Sequence, residues 1–144
     1  AFPVGRLDRD VEGVLLFTND GELAFRLIHP KFQIDKVYLA WVKGHVCKGA
    51  VTELEQGVQL EDGKTAPARV KVINAGRDTS LIQLTLHEGK KREVKRMCVA
   101  VGHPIKKLKR IAFAGVDASG LRIGEWRYLA QAEVDRLKKN VGLS

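Results

Sequence analysis

Cysteine is nearly absent: Cys47 and Cys98 are the only two in 144 residues, far apart, with no Cys-x-x-Cys spacing and no histidine at ligand distance. That scarcity argues against a disulfide framework and against a cysteine-rich zinc site, and leaves two buried thiols in a reducing compartment as the expectation. His29, His45, His87 and His103 show no metal-ligand spacing either. No apolar run approaches the ~20 residues that span a bilayer, and no basic-then-apolar leader is present, so a cytoplasmic protein without a membrane partner is expected. Internal repeats, low-complexity tracts and an interdomain linker are also missing. What remains is the composition of one domain with a real core, 44% hydrophobic and 29% charged.

Acidic side chains are scarce in one place above all. Between Gly89 and Arg110 the chain carries Lys90, Lys91, Arg92, Lys95, Arg96, Lys106, Lys107, Lys109 and Arg110 against Glu93 alone, an excess equal to the whole formal net charge of +8. The rest of the chain is neutral, so the surplus reads as a binding face for a polyanion rather than as general solubility.

Hydrophobic patterning supplies the elements. Gly13 to Thr18 has the length and continuity of a strand buried on both faces and central in a sheet. Glu22 to Ile28 has apolar residues at helical spacing, with Asn19 or Asp20 as cap and Pro30 beyond its end. Lys36 to Lys43 alternates as a strand, with Tyr38, Ala40 and Val42 on one face; Tyr38 is expected to project opposite the main packing face, into a cleft. Ala50 to Gln56 reads as a helix stopped by Gly57, and Val58 to Leu60 and Ala66 to Ile73 as two strands joined by a tight turn, the second at an edge because of Pro67. Ser80 to Leu86 is the cleanest amphipathic strand. Lys90 to Val101 puts Val94, Met97, Cys98 and Val101 on one helical stripe and leaves a basic face. Ile105 to Phe113 fits a basic strand or an irregular connection equally well. Gly124 to Leu129 reads as a last strand and Gln131 to Lys139 as a C-terminal helix. The sum is α+β, a largely antiparallel sheet with flanking helices.

One stretch invites a chemical reading. Gly5-Arg6-Leu7-Asp8 sets a carboxylate between Arg6 and Arg9, just ahead of an apolar run, and makes Asp8 the first candidate for a reacting group. The chain begins Ala1-Phe2-Pro3-Val4 without methionine, which reads as a fragment lacking its upstream part.

Ordered motifs then extend across nearly the whole length: Gly5-Arg6-Leu7-Asp8 with Gly13 and its apolar run, Thr18 to Ala24, Lys36-Val37-Tyr38, Gly57 to Gly63, Glu88 to Met97, Val101-Gly102, and Leu108-Lys109-Arg110. On these the chain resembles the ribosomal pseudouridine synthases, in the branch holding the small-subunit enzyme and its large-subunit relatives. Gly57 to Gly63 and Gly124 to Leu129 look most like the B-type enzymes that act on the large ribosomal subunit. The resemblance implies a catalytic domain over 1–144 with the pseudouridine-synthase fold. It also implies that the usual N-terminal RNA-binding domain and the first portion of the catalytic domain are absent. It implies isomerisation of a specific uridine to pseudouridine in ribosomal RNA, with large-subunit RNA favoured, no metal, no cofactor, and a monomer as the working form.

The same resemblance assigns roles. Asp8 matches the family aspartate that attacks the sugar or takes a proton from it, and Tyr38 the tyrosine that stacks on the base and assists at carbon five. Lys95 matches the basic residue paired with that aspartate. Its place beside Val94 lets the aliphatic stem pack inward while the ammonium reaches the cleft, whereas Arg96 points about 100° further round the helix. Arg6 matches the arginine that fills the space left by a flipped base. Lys36, Lys91, Arg92, Arg96, Lys107, Lys109 and Arg110 are the expected RNA contacts. Two other readings compete. A non-catalytic ribosomal RNA-binding or assembly module explains the basic segment but not Asp8 with Tyr38, and a carboxylate-dependent nucleoside hydrolase explains Asp8 but not the polyanion face.

Overall fold

The computed structural model describes residues 1–143. Its elements begin with β1 (Phe2–Pro3), β2 (Glu12–Gly13), β3 (Phe17–Thr18), α1 (Gly21–Ile28), a 3-10 turn (Pro30–Phe32), β4 (Lys36–Lys43) and α2 (Lys48–Gln56). They continue with β5 (Gln59–Leu60), β6 (Gly63–Lys64), β7 (Arg69–Ala75), β8 (Thr79–Leu86), α3 (Glu93–Ala100), β9 (Ile105–Phe113), β10 (Val116–Asp117) and α4 (Gln131–Asn140). The main sheet runs β10-β9-β4-β8-β7 with β2 alongside β9, and only the β2–β9 pairing is parallel. This is the α+β arrangement with a mostly antiparallel, mixed sheet that the patterning implies.

Two apolar clusters hold it together. In β8 the alternation is strict, and Ile82, Leu84 and Leu86 are buried with Ala40 and Val42 of β4 and Leu108 of β9. Leu54 of α2 and Val94, Met97 and Cys98 of α3 pack on the same face. The buried hydroxyl of Ser80 is satisfied: it donates to the Gly44 carbonyl at 2.8 Å and accepts from the Val46 N–H at 3.1 Å. The second cluster gathers Val4, Val14 and Leu16 from the N-terminal stretch, Leu23 and Leu27 of α1, Phe113, Val116, and Leu137 and Val141 at the end of the chain. Asp20 is the cap of α1, accepting from the Leu23 N–H at 3.0 Å, and Arg26 at its other end donates to the Val141 carbonyl at 2.8 Å.

Two register shifts shape β9. Val37 pairs with Ala112 but Tyr38 with Arg110, and Trp41 pairs with Lys107 but Val42 with Ile105, so Ile111 and Lys106 have no partner on β4. Each is a β-bulge, one extra residue on one strand.

Several expected elements differ. Gly13 to Thr18 is not one central strand. It is split between β2, which lies on β9, and β3, which pairs with β1, while Val14 and Leu16 point into the second cluster and Phe17 is exposed. The reason lies at Gly13: its φ is +143° and any Cβ would collide with the Arg110 carbonyl, so the chain crosses β9 at close quarters and then leaves it. The turn after β5 leads to the two-residue β6 rather than to β7, although β7 is the edge strand anticipated. The helix starts at Glu93, three residues late, because Arg92 holds a left-handed φ of 52°. Residues 124–129 form no strand: the edge strand β10 is two residues long, and Trp126 and Tyr128 stack edge to face at 5.1 Å in solvent. Cys98 is the buried thiol expected, pushed up to about 12 by desolvation, but Cys47 is exposed.

Candidate active site

A cleft of about 760 Å³ opens along the seam between the two clusters, with Leu86, Val94 and Leu108 from one and Leu27, Ile34 and Phe113 from the other in its walls. Asp8 stands at its side on the segment between β1 and β2, in a turn closed by the Val11 N–H donating to the Asp8 carbonyl at 2.9 Å. The carboxylate is 41% exposed and therefore open to an incoming molecule. Lys95 reaches it from α3. Its side chain is 13% exposed, and the ammonium lies 3.9 Å from Asp8 Oδ2 and 2.5 Å from Asp10 Oδ1. The expected Asp8 partner is thus present but shared, and the hydrogen bond goes to Asp10, which the motif does not single out. Asp10 is held below its ordinary range by that bond. Its one signal in the sequence is its position, two residues beyond Asp8 in the same turn.

Tyr38 lines the cleft, but not from the face anticipated. It shares its side of β4 with the buried Ala40 and Val42, so the cleft is a continuation of the packing face beyond the edge of the helices. Burial pushes its phenol up, against the opposing influence of Arg110, which keeps it neutral at ordinary pH. Arg110 is not a surface cation. It is buried, donates through Nε and Nη2 to the Val14 carbonyl at 3.0 and 2.6 Å, and lies 4.7 Å from the Phe113 ring centre. Desolvation lowers it, and the charge of a deprotonated Tyr38 beside it would work in the other direction. Lys36 borders the cleft half-buried, lowered first by desolvation and then by Arg110.

The remaining cations separate. Arg6, Lys91 and Arg92 are exposed and line the cleft. Arg96 is engaged, its guanidinium forked onto Asp62 of the β5–β6 hairpin at 2.8 and 3.2 Å. Lys107 and Lys109 lie opposite Trp41 and Leu39 on the far face of the sheet, with the Lys107 ammonium 5.1 Å from the Trp41 ring centre. The basic segment that looks continuous in sequence is therefore two surfaces and three buried or paired side chains, Lys95, Arg96 and Arg110. Glu88 and Glu93 also border the cleft, with no role that the sequence assigns them. Among the described residues, no group of three or more His, Cys, Asp or Glu side chains is placed to hold a metal ion.

The arrangement offers an accessible carboxylate with a cation beside it, a neutral phenol on the apolar wall, and exposed cations around the opening. Chemically it suits attack or proton removal at an uncharged ring or sugar whose flanking groups are anionic.

Comparison with known proteins is consistent with that geometry. The chain is 50% identical over 139 residues to the ribosomal large subunit pseudouridine synthase B of Bacillus subtilis, covering 95% of this chain and 57% of that one. It is 38% identical to the ribosomal small subunit pseudouridine synthase A of Vibrio vulnificus, over 94% of this chain and 58% of that one. It superposes on a crystal structure of a pseudouridylate synthase with a TM-score of 0.87 at 32% identity, covering 94% of this chain and 58% of that chain. The chain thus spans somewhat more than half the length of these relatives. Because residues 1–100, which include Asp8, Tyr38 and Lys95, match the profile described as RNA pseudouridylate synthase, the chain belongs to that family.

Proposed function

We propose that this chain is the catalytic part of an enzyme that isomerises a uridine to pseudouridine in ribosomal RNA, with large-subunit RNA as the substrate. The observation that carries the reading is the Asp8 carboxylate, open on the cleft, with the Lys95 ammonium 3.9 Å away. In this reading Asp8 attacks the ribose C1′ or removes a proton from the sugar. The N1–C1′ bond breaks, the uracil turns, and a C5–C1′ bond replaces the first. The C5 proton leaves and N1 gains one, so nothing is lost from the RNA. Tyr38, kept neutral, stacks on the uracil and assists at C5, while Lys95 holds the negative charge of Asp8 in position. A uridine in folded RNA must leave its stack first, at a cost of a few kcal/mol. Arg6, Lys91 and Arg92 at the opening are suited to offset that through phosphate contacts and, for Arg6, by filling the vacated space. The preference for large-subunit RNA is supported by the higher identity to the large-subunit relative, 50% against 38%.

The test is Asp8→Asn in the full-length protein, with ribosomal RNA carrying tritium at uridine C5. Tritium release is expected to stop while RNA affinity changes by less than about tenfold. Turnover retained by the variant overturns the role of Asp8. Binding without release by the wild-type protein favours the RNA-binding module instead.

A further inference from the structure

Glu93 is the first residue of α3 and is 4% exposed. Its Oε1 accepts from the Lys90 N–H at 2.9 Å, but Oε2 is fully buried and, as a carboxylate oxygen, has no partner. A buried unpaired carboxylate oxygen is costly. The neighbouring acid, Glu88, is anchored on the far side, its Oε1 accepting from the Ala66 N–H at 2.8 Å, and it lies close enough to Glu93 for each to shift the other's ionisation. Two carboxylates can meet there only if one proton lies between them. With Glu93 protonated, the orphan oxygen becomes a donor to Glu88 and both acids are satisfied.

That chain of bonds, Ala66 N–H to Glu88, Glu93 to Glu88, Lys90 N–H to Glu93, closes around residues 89–92. This is the loop whose Arg92 has a left-handed backbone and whose Lys91 and Arg92 side chains stand exposed on the cleft. We propose that Glu88 and Glu93 are positioning residues that share one proton, and that this proton holds the Lys91–Arg92 loop in the conformation that receives RNA phosphate. The proposal rests on the reading of the cleft as an RNA site.

The electrostatics agree in direction. Burial, and next the hydrogen bond with Glu88, push Glu93 up to about 7. Glu88, although burial opposes it, is held below its ordinary range by the Ala66 amide and by Glu93. The charged and titratable groups facing the pair are Lys36 and Tyr38 from β4, His87 at the end of β8, Lys90 in the loop and Arg96 in α3. The cations among them favour ionisation of Glu93, and bound phosphate opposes it, so RNA and proton bind together. Stability follows the same sign. An unfolded glutamate releases its proton near 4.5 and the folded one near 7, so stability declines as pH rises through that interval and levels off above it.

The experiment is RNA affinity of the full-length protein at constant ionic strength from pH 6 to 8.5. Wild-type affinity should fall by up to about tenfold per pH unit above neutrality, the limit for one linked proton. Glu93→Gln keeps an oxygen for Lys90 and an N–H for Glu88, so its affinity should match the low-pH wild type and stay flat. Glu93→Ala should bind weakly at every pH. A flat wild-type profile, or a Glu93→Gln profile that titrates like wild type, overturns the proposal. If Glu93→Gln does not fold, carboxyl carbon-13 shifts of the wild type decide: one glutamate should titrate near neutrality, and all titrating below about 5.5 would overturn it. Neither readout involves pseudouridine formation. A protein that shows the linkage without turnover fails the function proposed above and supports the pair.

Discussion

The cluster beneath β4, β8 and β9 is assembled from strands eight and nine residues long, whereas the cluster around Val4, Leu27 and Leu137 joins two-residue bridges to helices from opposite ends of the chain. The first has its register specified by a long pairing, Lys36 to Lys43 against Thr79 to Leu86. The second depends on side-chain fit and on isolated ties such as Arg26 to Val141 and Arg110 to Val14. The cleft lies between them, and so do its working groups. Tyr38 and Lys95 are carried by the long-strand side, and Asp8 by the loosely paired stretch. A site divided in this way has a rigid half and a half held by a few specific contacts, so disturbing either cluster should register at the same carboxylate.

The largest effect is expected in the long-strand cluster. Leu84 is fully buried, and Leu84→Ala should cost about 3–5 kcal/mol in denaturant unfolding. Leu27→Ala, at a buried position in the other cluster, should cost about 2–4 kcal/mol. Hydrogen exchange then sharpens the contrast: Leu27→Ala should expose the amides of residues 14–28 while those of β8 stay protected, and uniform loss would show that the clusters melt as one unit. Lys95→Met, which removes the cation bridging the seam but keeps its stem, should slow single-turnover pseudouridine formation at least roughly a hundredfold, about 2.7 kcal/mol. Its RNA affinity should change by less than about tenfold; weak binding with a normal single-turnover rate would make Lys95 a phosphate contact. The smallest effect is expected for Arg110→Met, which leaves the Val14 carbonyl without its charged donor for about 1.5–3 kcal/mol. The variant should lose more activity than affinity, because Asp8 and Arg110 meet through the stretch that Val14 anchors.

Legibility follows the same division. β4, β8, α1 and the apolar stripe of α3 are readable because each buries one regular face, and the period of the pattern is the period of the element. Gly13 to Thr18 looks like a buried strand because it is apolar and continuous. Apolarity reports burial, however, and Val14 and Leu16 are buried by crossing β9 and turning into the second cluster, not by pairing on both sides. Residues 124–129 alternate convincingly but pair with no edge among the described residues, something no local pattern records. Within the candidate site, the motif leads to Asp8, Tyr38 and Lys95, and the structure brings all three to one cleft. Arg96, Lys107, Lys109 and Arg110 look equivalent as positive charges. Only the tertiary structure distributes them between an ion pair with Asp62, the far face of the sheet and a buried hydrogen bond. Asp10, Glu88 and Glu93 escape for the same reason, since each acts through a partner that no local pattern identifies.

The two unpaired residues of β9 make pairing, rather than identity, the constrained variable of that strand. In an unbroken strand Arg110 and Phe113 would face opposite ways, three residues being an odd number of steps in a period of two. The extra residue at Ile111 resets the count, so that both turn inward, the one under Tyr38 and the other into the second cluster. Lys106 does the same at the other end and lets Ile105 face the side that Leu108 faces. Many side chains can stand at 106 and 111 without consequence. Pairing Ile111 into the ladder is another matter, because regular alternation from Arg110 onward would send Phe113 to the far face and withdraw the aromatic ring from the guanidinium it covers, whereas deleting residue 111 would leave both side chains on one face, two steps apart.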